Sequence, residues 1–105
     1  MTAQDVFDMA LALIDEPDCA QRYASCAVDV VNALHHELAF YEDKKVSQIK
    51  KLDDVLEISE DTAVNVLPYG IAASFALSNG NGEMFADCSA FYRALIRTIK
   101  NKNKQ

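Results

Sequence analysis

Asp61–Ser78, with the sequence DTAVNVLPYGIAASFALS, is the stretch that decides the fold of this chain. Its spacing predicts a helix that is apolar over most of its circumference and therefore belongs in the middle of a bundle. Pro68 has no N–H for the carbonyl of Val64, so we expect a kink there. Gly70 lets a neighbouring helix come close, although it lowers helix stability by about 1 kcal/mol relative to Ala. One predicted side is Val64, Leu67, Ile71, Phe75 and Ser78, and a second, smaller side is Val66, Gly70, Ala73 and Leu77.

Three further helices are predicted by apolar residues that recur at steps of three and four. They cover about residues 3–16, 19–42 and 83–100, and the central helix covers about residues 60–78. The fold class predicted is therefore all-α, a four-helix bundle-like single domain over residues 1–105 with a kinked central helix. Residues 101–105 are expected to fray as a flexible tail. The apolar faces of the outer helices include Leu13 and Ile14 in the first, Tyr23, Ala27, Val31 and Leu38 in the second, and Cys88, Phe91, Tyr92 and Ile96 in the last.

The ends of these helices carry residues suited to stopping or starting a helix. Thr2, followed by an acid three residues later, resembles a capping box. Pro17 ends the first helix at about residue 16, and Asp18 is a suitable N-cap for the second. Ser59 is a suitable N-cap for the central helix. Gly80 or the glycine two residues later suits a left-handed backbone conformation after that helix.

Residues 43–58 break the helical pattern and join the second helix to the central one. Two interpretations stay open for this segment. It is either a packed loop with one turn of helix, or an extended arm, with short strands, that leaves the bundle to touch a neighbour. Loops of this length without helix are uncommon in compact domains and are often functional. The candidate subunit or partner contacts are therefore Lys44, Lys45, Ile49, Lys50, Lys51, Asp53 and Asp54.

Charge is distributed unevenly along a chain whose net charge is −6. Residues 1–43 hold nine acids and one base, residues 44–52 four lysines, residues 53–82 five acids and no base, and residues 83–105 two acids and five bases. The opposite charges either meet inside the monomer or complement each other between copies in an assembly, where they would set register and steer association. The negative balance argues against nucleic acid as the main partner.

Nothing in the sequence matches a catalytic or cofactor motif. His35 and His36 are adjacent, so on a helix they diverge by about 100° and cannot easily share one metal ion. His35 is placed at the boundary of the apolar face of its helix. The three cysteines form no CxxC pair, and Cys26 and Cys88 fit as structural thiols of a reducing, cytosolic setting. We therefore predict no enzyme, no metal, no cofactor, no small-molecule substrate and, without a long apolar run, no membrane partner.

Two segments carry a family resemblance. Residues 49–58, IKKLDDVLEI, followed by residues 66–73, VLPYGIAA, resemble small phage and prophage head–tail connector (adaptor) proteins. That group often has an Ile-x-x-Leu-Asp-Asp-x-Leu segment and then an apolar helix around Tyr-Gly-Leu-Ala-Ala. The resemblance extends loosely to residues 5–16 and to a last helix with Phe85, Phe91 and Tyr92.

The resemblance implies a structural protein that joins a dodecameric ring beneath the portal of a tailed phage. Such a ring closes the packaged head and receives the tail, so its partners are other copies of itself and the portal and tail proteins. Its location would be the virion, after assembly in the bacterial cytoplasm. A head-to-tail ring uses two different surfaces of each subunit. The alternative is a small cytosolic helical protein-interaction or regulatory module that binds a partner through the exposed face of its second helix.

Overall fold

The computed structural model describes residues 1–15 and 20–103, and these residues fold into five helices. The described part of the chain contains no strand beyond an isolated antiparallel bridge between Thr2 and Val55. The predicted all-α, bundle-like fold class is therefore confirmed. The helices are α1 (Ala3–Leu13), α2 (Ala20–Tyr41), α3 (Glu60–Asn65), α4 (Leu67–Ser78) and α5 (Gly82–Asn103).

Helix α4 is the centre of the fold, because α1, α2, α3 and α5 all pack against it. The ring of Phe75 stacks on Tyr23 of α2 with centroids 4.3 Å apart, and it meets Phe7 of α1 edge-on at 5.6 Å. Burying a side chain of this size stabilises a fold by roughly 1.5–3 kcal/mol. The buried residues of α4 lie all around the helix and are Leu67, Pro68, Gly70, Ile71, Ala72, Ala73, Phe75 and Ala76.

The predicted kink is a one-residue interruption that divides the stretch into α3 and α4. Val66 ends α3, where its N–H donates to the carbonyl of Thr62 at 3.0 Å, and it also precedes α4. Pro68 then lies in the first turn of α4. Backbone N–H groups in a first helical turn have no partner within the helix, so the missing N–H of proline costs little there. The bend therefore comes from starting a new helix at proline.

Gly70 of α4 lies directly against Tyr92 of α5. A Cβ atom on Gly70 would stand 2.7 Å from Cε1 of Tyr92, so the space at this glycine is filled by an aromatic side chain of α5 and not by the backbone of another helix. The hydroxyl of Tyr92 donates to Glu37, which ties α5 to α2. Leu77, which the sequence pattern places on the same side, is instead mostly exposed. It lines an open pocket of about 480 Å³ between α2, α4 and α5.

The helix starts follow the predicted capping chemistry. The Asp5 N–H donates to Oγ1 of Thr2 at 3.2 Å, and the Thr2 N–H donates to Oδ2 of Asp5 at 2.9 Å, which completes a capping box. The Thr62 N–H donates to Oγ of Ser59 at 3.3 Å, so Ser59 caps α3 as expected. Gly80 has a φ of 74° and takes the left-handed conformation predicted after α4. The predicted roles of Pro17 and Asp18 lie outside the described residues.

Two helix ends differ from the predicted bounds. Helix α1 ends at Leu13 and not at residue 16, because Asp15 has a φ of 55° that a right-handed helix cannot contain. Helix α5 continues to Asn103, beyond the predicted end at residue 100. Residues 101–103, assigned by the sequence to a flexible tail, thus form the last turn of α5, while residues 104–105 lie outside the described residues.

Candidate interaction surfaces

The loop of residues 43–58 lies against the bundle and is bonded to the start of α1. The N–H groups of Ala3 and Gln4 donate to the carbonyls of Asp54 and Leu52 at 3.0 and 2.9 Å. In return, the Leu56 N–H donates to the carbonyl of Met1 at 2.9 Å. The first N–H groups of a helix have no partner within it, so the loop supplies acceptors that α1 needs. Of the two open interpretations, the segment follows the packed loop, but without the turn of helix that was predicted in it.

Polar side chains of α2 hold the other side of the loop. Oδ1 of Asn32 accepts from the Ile49 N–H at 2.7 Å, and Nε2 of His35 accepts from the Glu57 N–H at 2.9 Å. The side chains of Ile49, Leu56 and Ile58 are buried beneath the loop. The loop is therefore a fixed part of the domain although it contains no helix.

His35 is fully buried, which corrects the prediction of a boundary residue. It lies four residues after Val31 and three before Leu38, both fully buried, so its position falls on the apolar face of α2. Because Nε2 accepts a hydrogen bond, the ring is neutral with its proton on Nδ1, and Nδ1 has no partner among the described residues. Burial lowers the pKa of His35, and the neighbouring His36 lowers it further.

Glu42 closes the loop onto the start of α3. Its carboxylate accepts from the N–H and the hydroxyl of Ser59 at 2.9 and 2.5 Å, and from the hydroxyl of Thr62 at 2.7 Å. Burial alone would raise the pKa of Glu42, but the hydrogen bonds from Ser59 and Thr62 outweigh it and the pKa is lowered. Nζ of Lys44 lies 3.6 Å away. Glu42 is therefore ionised, and the hydroxyls of Ser59 and Thr62 both donate to it.

The structure separates the candidate contact residues of the loop into three groups. Ile49 is only 3% exposed and is a core residue, not a surface contact, because its side chain turns inward under the loop. Asp54 is half-buried and accepts from the N–H groups of Lys50 and Lys51 at 2.8 and 3.2 Å, and these bonds lower its pKa. The side chains that remain exposed are Lys44, Lys45, Lys50, Lys51 and Asp53.

One open apolar groove lies between α1, the α3–α4 junction and α5. Leu13 and Phe91, which the sequence pattern assigns to the core, instead line it and are 37% and 58% exposed. The rings of Tyr69 and Phe91 lie 5.4 Å apart between centroids. The groove encloses about 640 Å³. We call it the Phe91 groove, and its apolar lining includes Met9, Leu13, Val64, Pro68, Tyr69 and Phe91.

A second apolar feature lies where α2 ends. Phe40 is 78% exposed, and its ring meets that of Tyr41 edge-on with centroids 5.6 Å apart. Nζ of Lys100 lies 4.6 Å from the centroid of the Tyr41 ring, a distance at which a cation and a ring attract. We call this the Phe40 patch, and it consists of Phe40, Tyr41, Asp43, Lys44 and Lys45.

Few opposite charges form ion pairs within the described part of the chain. Among residues 1–15 and 20–103, the ion pair between Glu42 and Lys44 is the one salt bridge. Arg93, Arg97 and Lys100 of α5 are exposed. Direct ion pairs between the acidic front and the basic rear are therefore absent from this part of the structure.

The thiols and histidines of the described residues do not form a reactive cluster. Burial raises the pKa of Cys88, with the nearby Asp87 adding to the effect, so this thiol stays protonated. Sγ of Cys26 donates to the carbonyl of Tyr23 at 3.3 Å. Across the described ranges, no group of three or more His, Cys, Asp or Glu side chains is arranged to hold a metal ion. Cys19 lies outside the described residues.

No helix in the described part of the chain is long and apolar enough to cross a membrane. The chain matches no protein-family model, no curated protein and no solved structure. Fold and surfaces together define a class, a small all-α bundle domain with an open apolar groove and an exposed aromatic patch.

Proposed function

We propose that this chain is a phage structural protein, a head–tail connector (adaptor) that forms a homo-oligomeric ring between portal and tail. The observation that carries the proposal is the pair of unlike apolar surfaces, the Phe91 groove and the Phe40 patch, on one small domain. A closed ring built from identical subunits needs two different surfaces on each subunit. The resemblance of residues 49–58 and 66–73 to connector proteins supports the same function.

A rigid subunit suits this role, because the angle between its two contact surfaces fixes whether a ring closes. The buried α4 and the doubly anchored loop give this rigidity. Lys50, Lys51 and Asp53 stand exposed on the loop and would meet portal or tail proteins, the partners of the assembled ring. The function would then be geometric, with no catalytic step, in the virion after assembly in the bacterial cytoplasm.

Removal of the gene from a phage that carries it tests the proposal. We expect lysates with DNA-filled heads and separate tails, and we expect the unchanged gene supplied in trans to restore joined particles. Electron microscopy of the lysate distinguishes separate heads and tails from joined particles. Intact, infectious virions without the gene would refute a connector function.

The alternative is a small cytosolic protein-interaction or regulatory module that binds a partner through α2. The observation that favours it is Phe40, since an aromatic ring this exposed is a common anchor for a partner protein. A pull-down from the host distinguishes the two functions. Recovery of a metabolic or regulatory protein, with no virion component, would favour the alternative.

A further inference from the structure

The Phe91 groove has an acidic rim. Each of its three walls carries an exposed aspartate four residues before a groove-lining residue, which places the acid one helical turn away on the same face. Oδ1 of Asp61, for instance, accepts from Nδ2 of the groove residue Asn65 at 2.7 Å. No lysine or arginine occurs in α1, α3 or α4. The rim acids are Asp8 on α1, Asp61 on α3 and Asp87 on α5.

The Phe40 patch has the opposite charge. Lys44 and Lys45 are exposed beside Phe40, and Lys100 adds a third cation over the ring of Tyr41. Asp43 is the one acid lining the patch, and Glu42 pairs with Lys44 beside it. An exposed aromatic ring surrounded by charge is the pattern of an interface anchor with a polar rim.

The two surfaces share no lining residue, although α5 contributes Phe91 to the groove and Lys100 to the edge of the patch. A contact between two grooves would place aspartates against aspartates, and a contact between two patches would place two surfaces of net positive charge against each other. A contact between groove and patch places each charge against its opposite, which steers association and fixes register. Such a contact is heterologous, so it closes into a ring or continues as a filament.

We infer that the Phe91 groove of one copy receives Phe40 of the next copy, with the rim acids facing Lys44, Lys45 and Lys100. This inference rests on the proposed function, since it names the subunit contact of the proposed ring. The occupant of the groove is a second copy of this chain, and the contact runs in one direction from subunit to subunit.

A mixing experiment with Phe40→Asp and Phe91→Asp tests the contact. Both side chains are mostly exposed, so both variants should keep the core, which circular dichroism and thermal melting check. Each variant loses one surface and keeps the other. We expect each alone to sediment as a monomer at concentrations where the parent associates. An equimolar mixture should form a species of twice the monomer mass and nothing larger, because only one groove–patch contact remains possible.

Val55→Asp is the matched control, since Val55 is 63% exposed and belongs to neither surface. It should associate like the parent. A mixture that stays monomeric, or either variant associating like the parent, would overturn the inference. If the parent associates and both variants do too, the contact is wrong but self-assembly stands. If the parent never associates, both the groove–patch contact and the homo-oligomeric ring of the proposed function are refuted.

A second pair of variants leaves all apolar side chains in place. Lys45→Glu reverses a charge of the patch, and Asp87→Lys reverses a charge of the rim; both residues are exposed. Each should weaken association measurably, whereas Asp53→Lys, a reversal outside both surfaces, should not weaken it. Association unchanged in both Lys45→Glu and Asp87→Lys would contradict the groove–patch contact even if the aspartate variants failed to fold.

Discussion

At the scale of single residues, Gly70 has no space for a side chain. Gly70→Leu places a side chain where the Tyr92 ring already lies, 2.7 Å from the first added carbon. We expect the free energy of unfolding to fall by at least about 1–3 kcal/mol, the usual cost of overpacking a core. Urea denaturation measures it. In the control Gly82→Ala, the added carbon meets no atom within 4 Å, so stability should stay near that of the parent. A Gly70→Leu variant that unfolds like the parent would contradict the central packing of α4.

His35 gives the fold a pH dependence of a definite sign. The unfolded ring has an ordinary pKa of 6.5, and burial lowers the pKa in the folded state, so protonation favours unfolding. The stability contributed by neutral His35 is present above pH 6.5 and is lost as the pH falls below it. Glu42 and the low-pKa aspartates act only in more acidic solution, because their ordinary values are 4.5 and 3.8.

His35→Gln tests this assignment, because glutamine can still accept from the Glu57 N–H but does not titrate. Between pH 7 and pH 5, we expect the free energy of unfolding to fall in the parent and to change less in the variant. His36→Gln removes the neighbouring charge that also lowers the pKa of His35 but leaves the buried ring in place, so it should keep most of the slope of the parent. Equal slopes in the parent and in His35→Gln would show that another group titrates there.

Sequence patterns predicted which side of a helix faces inward better than they predicted individual exposures. Spacing placed Ile71 and Phe75 in the core, where both are buried. The same spacing assigned Leu13 and Phe91 to the core, yet both are exposed because no helix of the described residues covers the groove between them. Periodicity reports direction along one helix, whereas burial depends on where the neighbouring helices lie.

At the scale of elements, the loop of residues 43–58 was the least predictable part. Its apolar residues follow neither helical nor strand spacing, so local pattern could not distinguish a packed loop from a free arm. Its order comes from partners distant in sequence, such as Asn32 and His35 on α2 and the first N–H groups of α1. Contacts of this kind are invisible until the helices are assembled.

Glu42 holds the end of this loop in place by accepting hydrogen bonds from Ser59 and Thr62. Glu42→Ala removes the acceptor for the N–H and hydroxyl of Ser59 and for the hydroxyl of Thr62. We expect a loss of about 1–3 kcal/mol, the usual cost of leaving buried polar groups unsatisfied. Urea denaturation of the variant measures it, with Asp53→Ala, at an exposed position on the same loop, as the control. Equal effects of the two substitutions would refute the anchoring role of Glu42.

At the scale of the whole molecule, fold class and the central helix were predictable, and the two interaction surfaces were not. An apolar residue that stays exposed has the same local pattern as one that is buried. The uneven charge was visible in sequence, but only the structure shows that most of it stays unpaired across the described residues. If these charges attract neighbouring copies, assembly should weaken as the salt concentration rises.

Sedimentation velocity of the parent protein, over a range of concentrations and at two salt concentrations, tests the central claim most directly. We predict that the average mass rises with concentration above the 11.6 kDa of one chain. The rise should shrink in 1 M salt, where charges are screened beyond about 3 Å instead of about 10 Å at 0.1 M. A mass that stays at 11.6 kDa at every concentration and both salt levels would contradict assembly through these surfaces.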